Sequence, residues 1–166
     1  MVSDADIRRT LTMLEGLYNT AGLTTDLATL YSKLGTLELC GWIEDTMDSI
    51  ARSYVVRNIL SPDYINGFDS LLKGNSSFQW ENFNKILCHT IGMSNMETIY
   101  DKLNSITGNL QAFNGELTRL APIRNVAAHT TFTNSGISYE TPSSCLGILG
   151  RIYPAMQSIQ TEIDSL

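Results

Sequence analysis

The sequence predicts an all-α fold, a helical bundle of five to six helices built on long central ones. Apolar residues recur at steps of three and four along most of the chain, no convincing run alternates apolar with polar residues, and capping residues or prolines mark the ends of the apolar stripes. At 166 residues, 43% of them apolar, the chain reads as a single domain, 1–166, without linkers, repeats or low-complexity tracts.

The first helix, about 4 to 20, carries Ile7, Leu11, Leu14 and Leu17 or Tyr18 on one face. The second runs from about 26 to 60 through Leu27, Leu30, Leu34, Leu37 and Gly41, then Ile43, Met47, Ile50 and Tyr54. Thr24, Thr25 and Asp26 supply its cap, and Ser61-Pro62-Asp63 ends it, because proline disfavours helical geometry in the residue before it. Residues 61–76, with Asn66-Gly67 and Gly74-Asn75, read as a loop holding at most one short helical turn. A third helix occupies about 77 to 91, and Ser94 and Glu97 have the spacing of a capping box that opens a fourth. The fifth stripe is Leu110, Phe113, Leu117, Leu120 or Ala121, and Ala127 or Ala128. Pro122 inside it predicts a kink near 118–122 or a fresh helix start. Residues 130–141 read as a loop or short hairpin. Thr141-Pro142 then opens a final helix towards Leu166, with distortion expected at Gly147, Gly150 and Pro154.

Charge and composition exclude several classes. Eleven Lys plus Arg against 17 Asp plus Glu give a net charge of -6, so nucleic-acid binding needs a local patch rather than global attraction. No apolar run approaches the roughly 20 residues of a membrane span. The charged amino-terminal segment with Asp4, Asp6, Arg8 and Arg9 does not read as a secretory signal. Cys40, Cys88 and Cys145 are odd in number and far apart, which suits a reducing cytoplasm. His89 and His129 stand alone and no cysteine pair is close, so neither a metal site nor a cofactor is expected. Phosphate-binding loops, dinucleotide fingerprints and nucleophile elbows are missing from the sequence. The acidic clusters Glu44-Asp45-Asp48 and Asp4-Asp6 read as solvated helix faces.

The segment that carries a signal is Ala121-Pro122-Ile123-Arg124-Asn125-Val126-Ala127-Ala128-His129. Arg124 falls in phase with Leu110, Phe113, Leu117 and Leu120, which places a permanent cation beside a buried face and demands a partner. Asn125 and His129 share a helix face, whereas Arg124 and His129 diverge by roughly 140° on an undistorted helix. Their convergence on one substrate needs a helix end or kink near His129, or a second copy of the chain supplying the complementary residue. Glu38, the one charged residue between Thr36 and Ile43, reads as a partly inward carboxylate whose partner is Arg124 or Arg52. Plainer readings stand beside these. Arg124 and His129 suit a satisfied core pair or cations at a helix C-terminus, Asn125 a cap, and Glu38 a structural salt bridge or an exposed group. His89 suits a half-buried structural histidine, and Trp42, Trp80 and Phe83 suit core or interface aromatics.

Arg124-Asn125-Val126-Ala127-Ala128-His129 resembles the signature of the HEPN superfamily, an arginine separated by four to six residues from a histidine and often followed directly by asparagine. Leu37-Glu38-Leu39-Cys40-Gly41-Trp42-Ile43-Glu44 and Phe78-Gln79-Trp80-Glu81-Asn82-Phe83 resemble stretches of its small prokaryotic members in toxin and defence systems. The resemblance implies a homodimer in which two such segments face each other across a shared cleft. It also implies a metal-independent endoribonuclease acting as a toxin or anti-phage effector on RNA. On this chain His129 would act as general base or acid, Arg124 would hold the phosphate, and Asn125 and Glu38 would support them. The same resemblance admits an antitoxin or a defence-system sensor as a further partner. Where some family toxins carry a modifiable tyrosine two residues after the histidine, this chain has Thr131, with Tyr139 further on. Between Lys102 and Arg151 the chain carries Lys102, Arg119, Arg124 and Arg151 against Glu116 and Glu140, a local surplus of +2. Two rival readings remain open. One is a catalytically inactive HEPN module that binds a partner protein, RNA or a nucleotide. The other is a helical antitoxin or immunity protein whose acidic face covers a basic enzyme.

Overall fold

The computed structural model describes residues 2–20, 25–74, 78–105, 109–130 and 138–166, and these form seven helices without a strand. They are α1 (Ala5–Thr20), α2 (Thr25–Asn58), α3 (Pro62–Lys73), α4 (Trp80–Ile91), α5 (Met93–Ser105), α6 (Asn109–His129) and α7 (Pro142–Asp164). The all-α class stands as expected, with seven helices in place of five or six.

The extra helix is α3, in the segment read as a loop. Pro62 occupies its first turn, where a missing N–H costs nothing, and Tyr64, Ile65, Phe68, Leu71 and Leu72 make an apolar face that overrides Asn66-Gly67. Phe68 and Leu72 pack that face against the core, with α2 as the neighbouring helix. The predicted capping box does not form the start of α5. That helix opens at Met93, directly after Gly92, so Ser94 lies within its first turn. Gly92 has φ of 86°, a conformation glycine adopts freely, and its position lets α4 and α5 join through one residue.

Neither internal proline interrupts its helix. Pro122 sits inside a continuous α6 and Pro154 inside a continuous α7. α7 is the axle of the bundle and packs against α1, α2, α5 and α6. Its Cys145, Ile148, Leu149, Ile152, Ala155, Met156, Ile159 and Ile163 are all fully buried, a stripe at three- and four-residue steps. Its start follows the sequence expectation, since Thr141 Oγ1 accepts the Ser144 N–H at 3.2 Å and Pro142 occupies the first turn. α6 lies alongside through Leu110, Phe113, Leu117 and Leu120. Trp80 of α4 packs edge-on against Phe83 and against Phe113, the latter with centroids 5.9 Å apart. Trp42 leans on Tyr153 and donates from Nε1 to the Ser3 carbonyl at 3.2 Å, which ties the amino-terminal segment to α2.

An outer edge of charge joins α6 to α7. Arg151 Nε donates to Glu116 Oε1 at 2.6 Å, Arg119 Nη2 donates to Glu116 Oε2 at 2.9 Å, and Arg119 Nη1 reaches Glu140, which also accepts from Ser144 Oγ. Burial alone would raise the Glu116 pKa, but hydrogen bonds from Arg151 and Arg119, with their charges, hold it below the usual glutamate value. Truncating Phe113 to Ala should cost about 3–5 kcal/mol in urea unfolding. Thr141→Ala should cost about 1 kcal/mol through the lost cap.

Candidate functional site

α2 and α6 contact each other, and two polar bonds fix the carboxyl-terminal half of α6 to α2. Arg124 Nη2 donates to both oxygens of Glu44, at 2.9 and 3.2 Å. Lys33 Nζ donates to the Thr130 carbonyl at 2.7 Å, just past the end of α6. A cation at a helix C-terminus offsets the partial negative charge of the unpaired carbonyls there, and His129 in the last turn lies in the same field.

Beside this clamp lies an open cleft of about 400 Å³, lined by Glu44, Phe78, Gln79, Ala121, Arg124, Asn125 and His129. Three elements build it: α2 supplies the carboxylate, α6 the cation, amide and imidazole, and the residues opening α4 the remaining wall. Arg124 and His129 therefore border one space, with His129 the last residue of α6. Asn125 and His129 are exposed, and the Arg124 side chain keeps 24% of its surface in solvent. Among the described residues only Nη2 of Arg124 is engaged. Nε and Nη1 of the five-donor guanidinium are left to meet an anion.

Glu38 does not join this group. It is exposed on α2, while Arg124 pairs with Glu44 and Arg52 with Asp69 at 2.7 Å. The helical phase explains the exchange. Glu44 lies one turn from the buried Cys40 and Met47, whereas Glu38 lies on the side of α2 turned away from them. Glu44 was thus misread as part of a solvated face, and its phase with Cys40, Met47 and Ala51 was the signal that could have found it. Lys33 and Gln79 carry no sequence pattern that points to the cleft. His89 is exposed rather than half-buried. Trp80 and Phe83 belong to the core, with Trp42 packed at its edge. Thr131 lies outside the described residues. Tyr139 is buried, its hydroxyl 3.4 Å from Thr130 Oγ1.

The predicted positive patch is paired throughout. Lys102 meets Glu162, Arg119 meets Glu116 and Glu140, Arg151 meets Glu116, and Arg124 meets Glu44. No group of three His, Cys, Asp or Glu among the described residues is placed to hold a metal ion. No described helix is long and apolar enough to cross a membrane. Burial pushes the Cys40 thiol up to about 12, with Cys145 and Glu44 adding to the shift and Arg124 opposing it, so it stays protonated at neutral pH and offers no thiolate nucleophile. Comparison with protein-family models, with curated proteins and with solved structures finds no match in any of the three. What the cleft can do chemically follows from its own residues: a guanidinium fork to hold an oxyanion, an amide to orient it, and an imidazole free to take or give a proton.

One turn along α2 from Glu44, the half-buried Asp48 is raised to about 6, first by burial and then by the charges of Asp45 and Glu44. A carboxyl raised in the folded state contributes stability that is complete below its unfolded value of 3.8 and is lost as pH climbs through about 6. Asp48→Asn should therefore raise the melting temperature at pH 8 and leave it nearly unchanged at about pH 3, as read by thermal denaturation at both values.

Proposed function

We propose that this chain is a metal-independent RNA endonuclease of the HEPN type, working as a cytoplasmic homodimer and serving as a toxin or anti-phage effector. The observation that carries the reading is the cleft at the end of α6, where Arg124, Asn125 and His129 border one solvent-open space.

The chemistry is transesterification at a phosphodiester. Imidazole nitrogen of His129 accepts the proton of the ribose 2'-hydroxyl, the 2'-oxygen bonds to phosphorus, and the bond from phosphorus to the 5'-oxygen breaks. The protonated His129 imidazole then returns that proton to the departing 5'-oxygen. Arg124 binds non-bridging oxygens and offsets the charge that grows on them. Asn125 donates to phosphate or orients the ring. The products are a 2',3'-cyclic phosphate and a 5'-hydroxyl. An imidazole ring can both accept and donate a proton, which is what the two transfers require.

A second reading has its own support. Glu44 already neutralises Arg124, and the other cations between Lys102 and Arg151 are ion-paired, as expected of an inactive module that binds a partner protein or nucleotide in the same cleft. An antitoxin or sensor protein is a partner of either form.

Purified protein incubated with total RNA and chelator should yield fragments with 2',3'-cyclic phosphate ends. Arg124→Ala and His129→Ala should each lower cleavage at least 100-fold, with melting temperatures within a few degrees of wild type. Wild-type cleavage by either variant overturns the mechanism, and RNA binding without cleavage by the wild type selects the inactive module. Glu44→Gln should tighten RNA binding by filter retention, because it removes the anion that competes with phosphate for Arg124.

A further inference from the structure

α2 carries two apolar stripes, and only one of them faces the core. Leu39, Ile43 and Ile50 are fully buried. Nine residues make two and a half helical turns, so the positions nine earlier, Leu30, Leu34 and Gly41, lie on the opposite side. The exposures agree: Leu27 and Leu30 each keep 44% of their surface in solvent and Leu34 keeps 40%. Leu37 is half-buried, and a side chain added at Gly41 would meet no atom within 4 Å.

The outward stripe, Leu27, Leu30, Leu34, Leu37 and Gly41, advances by three, four, three and four residues. This is the a/d spacing of a coiled-coil seam, distinct from scattered surface leucines. Two heptads are too few to fold a coiled coil from free peptides. Here the helix is already held by its other face, so only docking remains to be driven. We infer that this face of α2 is a docking surface for the same face of a second copy of the chain, the two α2 helices running parallel. The inference names the interface of the homodimer proposed above. It is read from α2 alone and stands whether or not the cleft cleaves RNA.

The flanking charges choose the orientation. With Leu27 and Leu34 at a positions, Lys33 falls at g and Glu38 at e of the next heptad, the two positions that meet across a parallel pair. Each Lys33 then faces Glu38 of the second copy, twice by symmetry. An antiparallel pair would set g against g and bring the two Lys33 ammoniums together. Lys33 uses one of its three N–H donors on the Thr130 carbonyl, which leaves two for Glu38 of the second copy. Glu38, exposed in the monomer and outside the cleft, acquires a partner in this arrangement.

The area sets the strength. A seam of about 21 Å buries well under the ~800 Å² per partner of a stable interface, which places the dimer in the weak class, with a dissociation constant of about 10–100 µM.

Sedimentation equilibrium of the full chain from about 1 to 500 µM tests this. The wild type should pass from monomer to dimer in that range, and Leu30→Lys/Leu34→Lys should weaken the dimer at least tenfold with helical circular dichroism unchanged. A wild type that stays monomeric throughout, or a double-lysine variant that dimerises as well as wild type, overturns the inference. Leu34→Cys, a milder change, should form a symmetric 34–34 disulfide on oxidation if the helices run parallel. Failure of that cross-link, with coupling only between mixed Leu30→Cys and Leu34→Cys chains, overturns the parallel arrangement. RNA cleavage is read separately, so an active protein that dimerises through another face loses the seam but keeps the nuclease reading.

Discussion

The half-buried guanidinium of Arg124 is the constraint from which the arrangement of the cleft follows. A fixed charge withdrawn from water needs an opposite charge within reach, and Glu44, 80 residues earlier in the chain, supplies it. The pair sets how far α6 stands from α2 at that level, and Lys33, 97 residues before Thr130, sets it again one and a half turns further on. Between these two points α6 has little freedom to slide or rotate. His129 therefore occupies a defined place even though its side chain is exposed and its helix stops there. Exposure of the imidazole and rigidity of its backbone are compatible because the restraint acts through helix and carbonyl rather than through the ring.

Charge is distributed so that almost nothing attractive to a polyanion is left unpaired near the cleft. A net charge of -6 and a chain of satisfied cations mean that phosphate gains access to Arg124 by competing with a carboxylate. Such a site favours a ligand that brings polar contacts of its own to Asn125 over one bound by charge alone.

The bundle was largely legible because its helices announce themselves by period. The stripes of α1, α6 and α7 and the Thr141 cap appear in the structure where the spacing put them. α3 was missed because Asn-Gly is a strong local turn signal, and only the packing of Phe68 and Leu72 against the core outweighs it. Arg124, Asn125 and His129 could be read from one segment, since their order is local. The carboxylate that pairs with Arg124 could not be placed with equal ease. α2 is apolar on opposite sides, so its pattern does not say which side is inward, and Glu38 and Glu44 exchange roles with that choice. The same ambiguity hid the outward leucines within what looked like a single core stripe.

The alternating row Arg151, Glu116, Arg119 and Glu140 has a consequence for the way the molecule comes apart. Its arginines keep 42% and 51% of their side-chain surface in solvent against 24% for Arg124, so counterions reach them more readily. Concentrated electrolyte therefore loosens the junction at the start of α7 while the grip of α2 on α6 persists. Unzipping under those conditions begins at that row of charges.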